Sequence, residues 1–379
     1  DSNVPRLEYP MIDGVVNGCP SLILEPESTN LIEYSEDFSQ SAWTKSNSTI
    51  TSNSIISPDG TLNASTLTDN TANAIHRLRD SVSLSASTDY VLSIFAKKGT
   101  LSNIQLAIVN TSNSQIASRV FDLENGILGE LLTSGASGTL SDSKITDYGN
   151  GWYRCEITAQ LATTPNQYQI TLATQSSGNS VTLNQVSYDG DGNGNVHLWG
   201  AMLEQGSYPT SYIKSNSGNP TTRQAETCNG AGNAATFSDS EGVLMVEASA
   251  LAKDGENRYI SISDGSDANR LYVRYRASNN VFSGVVIVNN SLQVLFDTTD
   301  DNILNFSKFL IKYKENDFAF WVNGFKLLVD TSGSTFPNGT LNQLKFDTGG
   351  NGLPFYGNTK QVQYYNSALT DSELEQLTS

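Results

Sequence analysis

Apolar and polar residues alternate with a period of two along most of this chain of 379 residues. The clearest segments are residues 90–96, 104–109, 152–161, 167–173, 271–275, 309–313 and 318–322. This period is typical of β-strands, because successive side chains of a strand point to opposite faces of a sheet. Clusters of Asn, Gly, Ser and Asp separate the segments and supply the positive-φ positions that turns require. The pattern predicts an all-β fold of antiparallel β-sandwiches in tandem.

A short helix is predicted near the C-terminus. Thr370 occupies an N-cap position, Glu373 stands three residues later and completes a capping box, and Leu369 can contact Leu374 as a hydrophobic staple.

The chain length allows two or three domains at about 150 residues each. Residues 214–232 are rich in Ser, Asn, Gly, Pro and Thr and lack periodicity, which indicates a boundary. Residues 1–20 carry Pro and Gly at five positions and suit an extended lead-in. We therefore predict domains at residues 21–222 and 223–379 after this lead-in. The start at Asp1 resembles no signal peptide, so we expect a fragment or a processed product.

Charge limits the partners. The chain has 22 Lys and Arg against 39 Asp and Glu, a net charge of −17, which repels phosphate backbones and argues against nucleic acid. No apolar run approaches the ~20 residues that span a bilayer, so no membrane insertion is expected. Charged residues are only 16% of the chain. Ser, Thr, Asn and Gln take the missing share, a composition typical of β-rich extracellular and viral surfaces.

Three cysteines are too few for a disulfide framework. Cys155 alternates in phase with Tyr153 and Ile157, which predicts a buried thiol. Cys19 and Cys228 flank the first predicted domain, and a disulfide between them stays open because sequence supplies no distance.

Several ordered motifs in the first half resemble a known family. They are residues 22–26 with 29–31 and 34–38, residues 95–99, residues 149–155, residues 198–204, and residues 210–213 with 222–223. In this order they resemble the carbohydrate-binding-module-like jelly-roll domain of many bacteriophage tail and head-fibre proteins. The resemblance covers roughly residues 20–225.

The second half resembles a concanavalin A/laminin-G-type sandwich. Residues 318–324 are similar to its strand and turn signature, and residues 355–357, 362–365 and 368–371 to its closing strand and helix. In phage fibres such a pair of domains implies an extracellular virion protein, usually a homotrimer, that contacts other virion proteins and binds host-surface glycans. A bacterial secreted or cell-surface glycan-binding protein and a polysaccharide-degrading enzyme are the alternatives. The resemblance supplies no binding residues.

In the first domain, alternation places Trp152 and Arg154 on one face of a strand, opposite Cys155, while Gln105 and Gln169 lie on the polar faces of two others. If these strands share one sheet, an aromatic ring, a guanidinium and amides lie together, as sugar binding requires. A solvated sheet face is the alternative.

In the second domain, Arg270, Tyr272 and Arg274 share one strand face, and Lys312 and Trp321 lie on the polar faces of two further strands. If the strands share a sheet, they form a basic stripe suited to acidic saccharides through charge-assisted and cation–π contacts. Charge balance on exposed strands and contact with an acidic subunit are the alternatives.

Asp189, Asp191 and Asn193 match the opening half of a calcium loop. Gly200 stands where the bidentate Glu belongs, so a Gly/Asp-rich turn without metal is the alternative. No cofactor is required otherwise. With only two histidines, His76 and His197, and no Ser/His/Asp arrangement, we expect no enzyme, although a carboxylate pair that meets in space stays open.

Overall fold

The computed structural model of the protein describes residues 4–12, 15–112, 115–134, 138–174, 181–182, 185–276, 281–299 and 302–379. As far as residue 224 the strands are β1 Leu7–Glu8, β2 Met11–Ile12, β3 Val15–Val16, β4 Ser21–Leu24, β5 Ser28–Asn30, β6 Thr44–Ser46, β7 Ser48–Ile55, β8 Ala64–Asp69, β9 Asn73–Ala74, β10 Arg77–Ser81, β11 Asp89–Lys98, β12 Asn103–Asn110, β13 Gln115–Asp122, β14 Ile127–Ser134, β15 Gly138–Asp147, β16 Trp152–Leu161, β17 Gln167–Ala173, β18 Val181–Thr182, β19 Gln185–Val186, β20 Tyr188–Asp189, β21 Asn195–Gln205 and β22 Thr221–Arg223. The following elements are β23 Asn229–Ala231, β24 Glu241–Ala250, β25 Arg258–Ser263, β26 Arg270–Arg276, β27 Val281–Val288, β28 Ser291–Thr299, β29 Ser307–Lys314, β30 Phe318–Val322, β31 Phe325–Asp330, β32 Gln343–Lys345, β33 Gly357–Tyr365 and the helix α1 Asp371–Thr378. The predicted all-β fold with a short C-terminal helix is confirmed.

The chain forms two compact units. Unit 1 consists of Asp1–Pro10, Gly18–Pro26 and Ala225–Ser379, and unit 2 of Met11–Asn17 and Glu27–Gln224. The boundary after Gln224 lies two residues beyond the predicted one. At the N-terminus the structure differs from the predicted division, because residues 18–26 fold with the C-terminal part of the chain.

Unit 2 contains two six-stranded antiparallel sheets. Their strand orders are β14-β13-β12-β17-β10-β6, called the β12 sheet, and β15-β16-β11-β21-β8-β7, called the β11 sheet. Period-two side chains from both sheets form one apolar core, because each strand buries every second residue on the same face. Its fully buried members include Leu78, Leu92, Ile94, Ile104, Leu106, Phe121, Cys155, Ile157, Ile170, Leu172 and Leu198. Cys155 is therefore buried, as the alternation predicts.

Unit 1 contains a seven-stranded sheet, β1-β4-β33-β24-β29-β30-β31, and a six-stranded sheet, β23-β32-β25-β26-β27-β28. The core includes Leu271, Val273 and Tyr275 from the six-stranded sheet with Phe309 and Ile311 from the seven-stranded one. Close approach is possible at Gly284, where a Cβ atom would lie 2.6 Å from Phe320 Cδ2.

Strand β4 joins the N-terminal segment to the C-terminal sheet. Leu24, Ile23 and Leu22 pair in antiparallel register with β33, and Leu24 is buried in the core of unit 1. An ion cluster secures the same segment, since the Arg6 guanidinium pairs with Glu25 and, at 2.7 Å, with Glu226. The predicted lead-in of residues 1–20 thus provides one strand of this sheet, because β1 pairs with β4.

Helix α1 packs on the outer face of the seven-stranded sheet. The predicted capping box is present, with Thr370 N–H donating to Glu373 Oε2 at 2.8 Å, and Thr370 Oγ1 also donates to the same oxygen at 2.7 Å. Leu374 is fully buried beside Leu310 and Trp321, and Leu369 packs against the same cluster. No helix in the described ranges is long and apolar enough to cross a membrane.

Both remaining cysteines are free thiols in unit 1, Cys19 exposed and Cys228 half-buried. The disulfide that the sequence left open is not formed.

The division into units predicts which part of the chain loses stability when β4 is substituted. Substituting Leu24→Ala should destabilise unit 1 by about 2–5 kcal/mol, because a buried leucine leaves a cavity. Hydrogen exchange of peptides from residues 241–365 should accelerate while peptides from residues 89–205 stay protected. The matched control Leu7→Ala, at a site 45% exposed, should change neither set. Faster exchange in residues 89–205 alone would contradict the assignment of β4 to unit 1.

Candidate functional site

Two tyrosines and two arginines form a ladder on the outer face of the six-stranded sheet of unit 1. Along β26, Leu271, Val273 and Tyr275 face the core, so Arg270, Tyr272 and Arg274 face outward. Tyr259 of β25 pairs in register with Arg274 and lies on the same face. We call Tyr259, Arg270, Tyr272 and Arg274 the arginine–tyrosine ladder.

The aromatic rings fix the two guanidinium groups. The Tyr259 and Tyr272 ring centroids are 5.1 Å apart, in an edge-to-face arrangement. The Arg274 guanidinium lies 5.5 Å from the Tyr259 centroid and 5.7 Å from that of Tyr272, and Arg270 lies 5.1 Å from Tyr272 on the other side. Cation–π attraction holds Arg274 in place without an ion pair to a carboxylate of the described residues, whereas Arg270 also pairs with Asp267.

Hydrogen bonds complete the placement of Arg274. Its Nε donates to Ser283 Oγ at 3.2 Å and its Nη1 donates to the Tyr259 hydroxyl at 2.9 Å. Ser283 Oγ in turn donates to Asp297 Oδ1 at 2.6 Å. Nη2 of Arg274 has no hydrogen-bond partner among the described residues. Two tyrosine rings and two hydrogen bonds therefore hold this guanidinium, and Nη2 remains as its donor for a ligand.

Arg270 is held more tightly by its own surroundings. Its Nη1 donates to the Thr348 carbonyl at 2.6 Å and pairs with Asp267. Burial raises the pKa of Tyr272, and the charge of Arg274 offsets only part of this effect, so the phenol stays protonated at neutral pH.

An apolar strip continues the ladder towards the sheet edge. Tyr272 pairs with Val285 of β27, and Val285 pairs with Leu295 of β28. Leu292 and Leu295 are 57% and 48% exposed. Fixed donors beside exposed leucines make an amphipathic platform of the kind that a sugar ring, with polar edges and an apolar face, can contact.

Sequence reasoning found three of the four ladder residues and missed Tyr259. The alternation of Tyr259, Ile260, Ser261 and Ile262 is the signal that places Tyr259 on the outer face. Its pairing with Arg274 is a tertiary fact that no local pattern contains.

Lys312 and Trp321 do not belong to this surface, which corrects the predicted basic stripe. They lie on β29 and β30 of the seven-stranded sheet, whereas the ladder lies on the six-stranded sheet. Lys312 is buried and pairs with Asp317 at 2.6 Å. Trp321 is 4% exposed and packs beneath α1 against Leu374. Alternation identified the outer faces, but the strands belong to different sheets.

Trp152 and Arg154 are buried, which corrects the predicted first-domain surface. Trp152 packs with Phe95 and Trp199 on the outer face of the β11 sheet. Arg154 pairs with Glu156 at 3.0 Å and donates to the Thr210 carbonyl at 2.7 Å. Covering chain segments turn this face into a second interior.

Gln105 and Gln169 lie on the β12 sheet, separate from Trp152 and Arg154. Gln105 is fully buried and donates to Ser118 Oγ at 2.8 Å. Gln169 is 1% exposed, donates to Gln167 Oε1 at 2.7 Å and accepts from Arg77 Nη1 at 3.0 Å. Both side-chain amides therefore form hydrogen bonds within the protein.

Asp191 acts as a turn residue in the calcium-like motif. Its Oδ1 accepts the N–H groups of Asn193 at 2.8 Å and Gly194 at 3.1 Å. Asp189 is exposed and pairs with Asn73 in a short ladder. In the described ranges no group of three or more His, Cys, Asp or Glu side chains is placed to hold a metal. The calcium loop and its alternative, the turn without metal, both stay predictions.

Each histidine has a hydrogen-bond partner. His76 Nδ1 lies 2.7 Å from the Asn47 carbonyl, and His197 Nδ1 lies 2.9 Å from Thr66 Oγ1. Burial and the charge of Lys97 lower the pKa of His197. The partner of His76 is thus a backbone carbonyl and that of His197 is a threonine hydroxyl.

Comparison with known proteins gives structural neighbours only. No family model matches the chain, and no curated protein matches it. The sialidase carbohydrate-binding module of Ruminococcus gnavus bound to α2,3-sialyllactose is 15% identical, with TM-score 0.33 over 41% of this chain and 97% of that one. Domains LG4-5 of the mouse laminin α1 chain are 10% identical, with TM-score 0.27 over 79% and 92%. The Bacillus subtilis module CBM66 is 9% identical, with TM-score 0.25 over 33% and 75%. At these scores no ligand or residue role is transferred.

Because Trp321 is buried, its substitution should lower the stability of unit 1. Trp321→Ala should destabilise unit 1 by about 3–5 kcal/mol, since a large buried side chain is removed from beneath α1. Thermal unfolding measures the effect. A variant with unchanged melting temperature would show that Trp321 is not part of the packed interface with α1.

The Asp189–Asn193 turn should need no metal, because Asp191 already accepts two backbone N–H groups. EDTA should leave the melting temperature unchanged. Addition of 5 mM Ca²⁺ should not raise it, although this concentration exceeds the Kd of about 10⁻³ M that is typical of weak extracellular calcium sites. A rise with Ca²⁺ that Asp191→Asn abolishes would instead establish the calcium site.

Proposed function

We propose that the protein binds glycans without catalysis, and that the arginine–tyrosine ladder is the binding surface. The observation that carries this proposal is Arg274, whose guanidinium is fixed by two tyrosine rings and Ser283, while its Nη2 makes no hydrogen bond with the described part of the chain. A fixed donor loses little side-chain entropy when a ligand binds, so its hydrogen bonds contribute more to affinity.

The platform suits a sugar ring in its chemistry. Leu292 and Leu295 offer apolar surface for the ring face, and Arg274 offers charge-assisted hydrogen bonds to hydroxyl or carboxylate oxygens. A ligand on this face contacts the half-buried Arg274 and the two exposed leucines, whereas Tyr259 and Tyr272 are only 6% and 5% exposed, so single contacts should be weak, with Kd values on the order of millimolar. Many copies on one particle convert weak contacts into lasting attachment through effective concentration.

We further propose that the chain is part of an extracellular virion fibre, assembled as a homotrimer with other virion proteins. The ordered fibre-like motifs in residues 20–225 and the composition rich in Ser, Thr and Asn support this assignment. A bacterial secreted or surface protein with the same modules is the alternative. The genes that flank the coding sequence and mass measurement in solution distinguish the two.

A glycan array tests the ladder with variants chosen to preserve the fold. Arg274→Lys keeps the charge but removes the guanidinium fork, and Leu295→Asn makes the exposed platform polar. Arg274→Lys should reduce binding about 10-fold or more, because loss of a charge-assisted hydrogen bond costs about 1.5–3 kcal/mol. Leu295→Asn should also reduce binding, because the ring face of the sugar loses apolar contact. Melting temperatures should stay within the range of the wild type.

Lys314→Ala is the matched control. It removes a positive charge from β29, where Lys314 pairs with Glu241 at 2.9 Å, away from the ladder's sheet. Its binding should equal that of the wild type. Wild-type binding by both Arg274→Lys and Leu295→Asn would contradict a binding site at the ladder. Shortening of polysaccharide chains during incubation would contradict the absence of catalysis.

A further inference from the structure

A second polar surface lies on the outer face of the β12 sheet in unit 2. Leu78 of β10 is fully buried in the core, so Arg77 and Arg79 face outward. Across the strand pair, Arg79 stands opposite Gln169 and Arg77 opposite Thr171. The sequence signal is a basic residue on each side of a single leucine, too short to register as a strand.

A surface groove lies one outward-facing residue pair along β10 and β17 from Arg79. Its lining residues are Ser81, Val82, Ser83, Thr111, Asn166 and Gln167. Ser81 and Gln167 are partners in the antiparallel pairing of β10 with β17. The next outward-facing pair along these two strands is Arg79 and Gln169. All lining side chains except that of Val82 are hydroxyls or amides, which suit sugar hydroxyls.

Arg79 is half-buried and has no hydrogen bond or ion pair with any described residue. This differs from Lys98, which pairs with Glu124, and Lys214, which pairs with Glu36 at 2.6 Å, in the same unit. In a chain with net charge −17, a partly desolvated guanidinium without a carboxylate is an unsatisfied anion-binding group.

The surroundings of Arg79 reinforce its positive potential. Burial and the charge of Arg79 lower the pKa of Arg77 to about 10. Beside Arg77 the Thr171 hydroxyl is fully buried, and its Oγ1 has no partner in the described part of the chain. Two neighbouring cations repel each other, so a bound anion would relieve a repulsion that already exists.

We propose that this groove binds a saccharide that carries a carboxylate, with the carboxylate on Arg79 and the ring hydroxyls on Ser81, Gln167 and Asn166. The inference rests on the proposed glycan binding only for the nature of the ligand, since the site lies on the other unit. Bidentate pairing makes the acid group, rather than the sugar ring, the main determinant of affinity.

Calorimetry with matched probes tests the site. Tetragalacturonate presents carboxylates, and its methyl ester presents the same rings without charge. The wild type should bind the acid at least 10-fold more tightly than the ester, and the difference should shrink between 50 and 500 mM NaCl, where the Debye length falls from about 14 to about 4 Å. Arg79→Ala should abolish the preference, and Arg79→Lys should restore part of it.

Lys98→Ala removes a surface charge from the same unit and should leave the preference intact. Equal affinity of the wild type for acid and ester, or an unchanged preference in Arg79→Ala, would overturn the groove proposal. Arg274→Lys distinguishes the two sites. If it loses array binding while Arg79→Ala changes nothing, the ladder stands and the groove fails. If it loses nothing while Arg79→Ala abolishes the preference, the groove stands and the ladder fails.

Discussion

The pairing of β4 with β33 is the contact on which unit 1 depends. Three chain segments separated by unit 2 build this unit, and the register of Leu22, Ile23 and Leu24 with β33 joins the second of them to the last. Leu24 enters the core that supports the six-stranded sheet from within. The geometry of the ladder is therefore maintained by residues more than two hundred positions away in sequence.

The period-two pattern predicted the fold because its cause is local. Alternation follows from strand geometry, and a capping box involves residues three apart, so both are visible in the sequence. It also placed Arg270, Tyr272 and Arg274 on the correct strand face, opposite Leu271 and Val273. Local pattern and tertiary structure agree where a strand pairs with its sequence neighbours, as β25 to β28 do.

The sites were harder to predict because they depend on which strands share a sheet and what covers each face. Lys312 shows the same alternation as Arg274, yet it lies on the opposite sheet. Arg154 looks like a surface residue by its phase, but Thr210 and Glu156 enclose it. Conversely, Arg79 lies on a strand that contributes one leucine to the core, which gives no periodic signal. Whether a polar strand face is buried depends on which chain segments, distant in sequence, cover it.

Arg274 differs from most cations of the described residues in how its charge is held. In this acidic chain, cations such as Lys312, Arg154 and Arg276 pair with carboxylates, whereas aromatic rings hold Arg274. The most direct measurement is a crystal structure of the protein with a glycan that it selects from an array. We expect the sugar on the outer face of β25 to β28, within hydrogen-bonding distance of Arg274 Nη2. A sugar enclosed between converging carboxylates, or bound on the seven-stranded sheet, would contradict it.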